Sequence, residues 1–133
     1  MVTATLTLRA QQVQIRPDDP AFIAKYADFN LKGKFAAVVE QDETNNYYLV
    51  DFTSFHSRFE RVYFMNLTFT TVKLVNIDPN VTRSRVWFMA NRKYVADEVF
   101  KLFEELKQKV KITTSSWSEA DRAQWLKKND KYN

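Results

Sequence analysis

Val95, Val99, Leu102, Phe103, Leu106 and Val110 recur at spacings of three and four between Arg92 and Lys111. That period predicts one long helix over Arg92–Lys111 with a single apolar stripe. Such a stripe is stable only when covered, and the strand-like segments elsewhere in the chain make a sheet its cover. The other side carries Glu98, Lys101, Glu104, Glu105, Lys107 and Lys111. It reads as a solvated face laced by charge pairs three and four residues apart. Asn91 stands where a cap is needed.

The sheet has to come from the residues before that helix. One glycine and three prolines in 133 residues leave little room for long irregular loops. Within Thr3–Arg16, Ala4, Leu6, Leu8 and Ala10 alternate on one face, and Val13 and Ile15 resume on the other parity. This predicts a strand bulged near Gln11-Gln12, or two short strands. Asp18-Asp19-Pro20 is a helix start, followed by Phe22, Ile23, Tyr26 and Phe29 at helical spacing, with Gly33 as the expected terminator of a helix over 20–30. Lys34–Gln41 and Asn46–Thr53 read as a hairpin closed by Asp42-Glu43-Thr44-Asn45.

From Phe59 to Ile77 strand-formers are nearly continuous, and Tyr63, Met65, Leu67 and Phe69 alternate. A strand of that length would reach about 60 Å, so a break is expected at Asn66 or Thr70-Thr71. Asp78-Pro79-Asn80 is a turn, and Val81–Ala90 the returning strand, antiparallel to Thr71–Ile77. A last helix is expected from the capping box Ser116–Glu119 to Lys128. Its apolar residues Trp117, Ala120 and Trp125 are interrupted by Asp121, Gln124 and Lys128, which predicts weak docking. The fold class is therefore α+β: an antiparallel sheet of five or six strands, a short early helix, the long helix on one sheet face, and a C-terminal helix. A hydrophobic content of 45% is enough for one core. Residues 1–112 form the α+β domain and 113–133 a helical extension of it.

Several chemistries have no residues to support them. There is no cysteine, hence no disulfide, thiolate metal site or cysteine nucleophile. The one histidine, His56, lies near Ser54, Ser57 and Asp51, but no nucleophile-elbow motif accompanies it. Asp18/Asp19, Asp42/Glu43 and Glu104/Glu105 are isolated acidic pairs without calcium-loop spacing. Phosphate-cradling glycine loops are absent. A non-catalytic protein without cofactors or metal is expected. The first residues lack a signal peptide's basic start and apolar run, and no apolar stretch is long enough for a membrane helix. A cytoplasmic location is expected, compatible with phage or virion origin. The glycosylation matches Asn66-Leu67-Thr68 and Asn80-Val81-Thr82 are read as coincidental.

Formal charge is +4, and residues 81–133 hold 12 Lys+Arg against 7 Asp+Glu, a local excess of +5. Three readings follow. The first is a protein-contact or assembly module, in a homo-oligomer or as an accessory subunit. Trp117, Trp125 and Phe100 are its apolar anchors, and Lys107, Lys111, Lys127 and Lys128 its polar rim. Against it stands a tail that folds back and completes its own core. The second reading is single-stranded nucleic-acid binding by a sheet face bearing Arg58, Arg61, Arg83, Arg85 and Trp87, with Tyr63 nearby. The third is an apolar small-ligand or lipid site lined by Phe35, Phe52, Phe64 and Phe69.

Overall fold

Residues 15–132 are described by the computed structural model. The expected strand or strand pair before Ile15 lies outside them. The chain runs α1 (Pro20–Ala27), β1 (Ala36–Gln41), β2 (Asn45–Asp51), a 3-10 turn (Phe52–Ser54), α2 (Arg58–Thr68), β3 (Val75–Asn76), β4 (Arg85–Asn91), α3 (Ala96–Ser116) and α4 (Glu119–Asn129). Among the described residues the sheet has four antiparallel strands in the order β1-β2-β4-β3. The α+β class, the short early helix, the long helix and the C-terminal helix stand. The count of five or six strands is not matched among the described residues, which hold four.

Within the described residues the difference comes from Phe59–Ile77, whose first half is the helix α2 and not a strand. Ser57 Oγ accepts the Glu60 N–H at 3.2 Å, and Glu60 Oε1 accepts the His56 N–H at 2.6 Å. This reciprocal cap starts the helix, and Phe59, Val62, Phe64 and Met65 are then buried. The strand-like alternation of Tyr63, Met65, Leu67 and Phe69 was outweighed by that cap and by a second period close to 3.6. Only Val75 and Asn76 of the segment pair with β4.

Boundaries moved for equally local reasons. Asn91 Oδ1 accepts the Lys93 N–H at 2.9 Å, holding a turn, so α3 begins at Ala96 and not at Arg92. At its far end the hydroxyls of Thr114, Ser115 and Ser116 bond back to the carbonyls of Val110, Lys111 and Ile112 at 2.7–2.9 Å. The residues expected between the two helices, 112–115, are thereby absorbed into α3. The final helix is capped by Ser118, whose Oγ accepts the Asp121 N–H at 3.1 Å, and not by Ser116.

The sheet is covered on both faces. Ala36, Tyr48, Val50, Val86, Phe88 and Ala90 meet Phe64 of α2, Val99, Phe103, Leu106 and Val110 of α3, and Phe55 just past the 3-10 turn. On the other face Tyr47, Leu49 and Trp87 pack with Phe22 and Tyr26 of α1. Burying a side chain such as Phe103, with no exposed surface, stabilises the fold by roughly 1.5–3 kcal/mol. No described helix is long and apolar enough to cross a membrane.

Candidate binding notch

Positive backbone angles at Lys32 (φ 56°) and Gly33 (φ 76°) turn the chain between α1 and β1. Only glycine adopts this region at little cost, so the lone glycine marks this turn and not the end of α1, which stops at Ala27. Beyond the turn Phe35 enters the core while Lys34 stays exposed. The Phe35 ring meets Phe55 and Phe64 edge-on, each at 5.7 Å, and Phe103 at 6.4 Å. On α3, Phe100 stands half-buried with its ring edge-on to Tyr48 at 5.5 Å.

Between them lies a notch of about 330 Å³, walled by Phe35, Phe100 and Phe103, with Lys34, Glu104 and Lys107 around it. The Lys107 ammonium lies 4.9 Å from the centre of the Phe35 ring. The ion pairs among the described residues join Arg58 to Asp130, Lys73 to Glu98, Arg83 to Asp18 and Asp78, and Lys111 to Glu60. Neither Lys34 nor Lys107 is in that set.

The remaining contact residues lie apart from Phe100 and Lys107. Lys111 donates to Ser54 O at 2.6 Å and Glu60 Oε2 at 3.2 Å. Trp117 and Trp125 sit half-buried against Phe59 and Tyr63 at 5.1–5.8 Å. The tail thus folds back onto α2, more firmly than its broken apolar face predicts. Lys127 and Lys128 are exposed on the last turn of α4.

The basic aromatic sheet face is not assembled. Arg58 and Arg61 lie on a helix, Arg58 holding Asp130 and Arg61 the carbonyls of Phe55, Val81 and Arg83. Arg83 pairs with Asp18 and Asp78, and Arg85 donates to the Tyr26 and Phe29 carbonyls. Trp87 is buried beneath α1. The four phenylalanines of the ligand reading do not enclose a common cavity: Phe35, Phe52 and Phe64 pack ring against ring, and Phe69 is 67% exposed.

Around His56, Asp51 accepts from Thr53 and Ser57 caps α2, while the imidazole is exposed. No group of three or more metal-ligating side chains occurs among the described residues. Asp78, read from sequence as a turn residue, is fully buried. Its Oδ1 accepts from the Asn80 N–H and from Arg83, while Oδ2 finds no hydrogen-bond partner among the described residues. Burial raises its pKa above the ordinary value, opposed by the Asn80 N–H, the Arg83 charge and the Trp87 N–H, with the Asp18 charge adding slightly to the rise. The arginine five residues later was its only sequence signal. Comparison with protein-family models, with curated proteins and with solved structures finds no match to this chain.

Proposed function

We propose that the chain is a non-catalytic protein-contact module whose notch between β1 and α3 receives an apolar side chain of a partner, with Lys34 and Lys107 holding an acidic residue beside it. One observation carries the reading: Lys107 is a cation over an aromatic floor, without an ion-pair partner among the described residues, at the mouth of an apolar recess. A cation–π contact of this kind stabilises by roughly 0.5–1 kcal/mol at exposed sites, and an incoming carboxylate adds to it without breaking an existing pair. Buried apolar anchors dominate the energy of such contacts, and rim charges set register and encounter rate. Glu104 on the same rim repels a second acid, so a segment with one acidic residue next to its apolar anchor fits best.

Phe100 and Lys107 act together in this reading, while Trp117, Trp125 and Lys111 serve the fold. The nucleic-acid alternative has less support, because its arginines already hold internal carbonyls and carboxylates. A small amphipathic anion, such as a fatty carboxylate, is the second reading. The notch volume, near the lower end of small-ligand sites, favours it.

Selection from a displayed peptide library tests the proposal, with a Lys34→Glu/Lys107→Glu double variant as counter-screen. Enriched sequences are expected to pair one aromatic residue or leucine with one neighbouring Asp or Glu, and to be lost on the double variant. Absence of enrichment, with saturable decanoate binding that the double variant loses, would transfer the site to the small-anion reading. Failure of both would overturn the notch as a site.

A further inference from the structure

We infer that α4 is an exchangeable arm, docking on α2 of its own chain or, reciprocally, on α2 of a second copy. This goes beyond the notch reading and rests on a different surface. The receptor is a stacked pair on α2, Phe59 and Tyr63, with ring centres 5.3 Å apart and planes inclined by 20°. Trp125 of α4 meets both rings, at 5.4 and 5.1 Å. Just past α4, Asp130 takes a two-pronged bond from Arg58 at 2.5 and 2.9 Å, and Arg58 also donates to the Tyr132 carbonyl at 2.6 Å. These contacts belong to one face of α2, and none of the residues of α4 is fully buried.

The joint between α3 and α4 consists of Trp117 and Ser118, both with extended backbone, ψ 148° and 159°. Neither glycine nor proline occurs anywhere from Ile112 to Asn129. Nothing covalent therefore enforces the break. What holds it is the Ser118 cap, Arg122 donating to the Thr114 and Trp117 carbonyls at 2.7 and 2.5 Å, and the Trp117 ring against Phe59 and Tyr63, each at 5.8 Å. If both residues turn helical, α3 and α4 become one rod over 96–129, about 50 Å long at helical rise. Its end is then carried away from the parent α2. On a second copy, related by a two-fold axis, the same Trp125, Asp130, Phe59, Tyr63 and Arg58 contacts re-form in both directions. Each α2–α4 contact made in the closed monomer has its equivalent in the pair, so the two states differ mainly at the joint and in the entropy of association. Short joints of this kind favour exchange because they have little slack with which to close back.

The charge-reversed variants Arg58→Asp and Asp130→Arg test the inference. Alone, each places like charges at the clamp in both closed and exchanged forms. Mixed in equal amounts, warmed below the melting temperature and cooled, they restore two attractive clamps only by exchanging arms. Native mass spectrometry distinguishes the mixed pair by its mass. The mixed dimer is expected as the main product, and inserting a flexible Gly/Ser segment between Trp117 and Ser118 of both variants is expected to return monomers. A mixture that stays monomeric would overturn the inference, as would a mixed dimer that forms equally well when Trp125 is changed to Ala in both chains.

Discussion

Lys107 of α3 holds its ammonium 4.9 Å above the ring of Phe35, the first buried side chain after the Gly33 turn. The pair joins the long helix to the start of β1 and forms the floor and rim of the notch. Phe100 and Phe103, three residues apart on α3, divide the work there: Phe103 has no exposed surface and Phe100 is half-buried. Phe103→Ala should therefore cost about 3–5 kcal/mol of folding stability, as a truncation in a packed core. Phe100→Ala should cost about 1 kcal/mol, since less area is withdrawn from water. Urea unfolding compares the two, and equal losses would mean that Phe100 is core and not wall.

Arg58 and Asp130 fasten α4. The Arg58 hydrogen bonds hold the Asp130 carboxyl below its ordinary value against some desolvation, with the Tyr132 N–H assisting. A depressed folded-state value means the contribution is complete above the unfolded value and is lost as pH falls through the folded one. Docking of α4 should therefore loosen on acidification below about pH 4, where an ordinary aspartate titrates. At neutral pH, Arg58→Ala should cost about 0.5–1 kcal/mol, because the pair is partly exposed and screened. Hydrogen exchange in α4, followed against pH with Arg58→Ala as control, measures both effects.

Asp78 behaves in the opposite sense. Its raised value makes its contribution greatest below the unfolded value of 3.8 and progressively lost as pH rises through the folded value. Stability relative to Asp78→Asn should accordingly fall as pH rises from about 4 towards neutrality. Urea midpoints of the two proteins across that range give the slope. A difference independent of pH would place the Asp78 titration at its ordinary value.

Helix α3 was legible because its apolar stripe repeats over about four turns and its covering sheet reads as strands, although Val95, expected in that stripe, stands at the N-cap and is exposed. The hairpin was legible from Asp42, whose carboxylate does accept the Thr44 and Asn45 N–H groups at 2.9 and 2.7 Å. Helix α2 was misread although Ser57 and Glu60 spell a capping box, because strand-formers such as Tyr63, Phe64 and Thr68 dominate the segment. The α4 contact was underestimated because Trp125 finds its partners, Phe59 and Tyr63, on that same misread helix. Phe100 and Lys107 were singled out from sequence, but Phe35 and Lys34 reach them only across the fold, and no local spacing announces that. Nor does composition reveal that Arg58, Arg61, Arg83 and Arg85 would each find internal acceptors.

Whether the notch is the contact site is read from backbone amide shifts, followed by nuclear magnetic resonance as a library-selected peptide is added. The shifts should concentrate at 33–36 and 100–107 and vanish in the Lys34→Glu/Lys107→Glu variant. Shifts concentrated at Phe69, Val72 and Val75, the exposed apolar residues leading into β3, with the notch silent, would exclude the notch as the contact site.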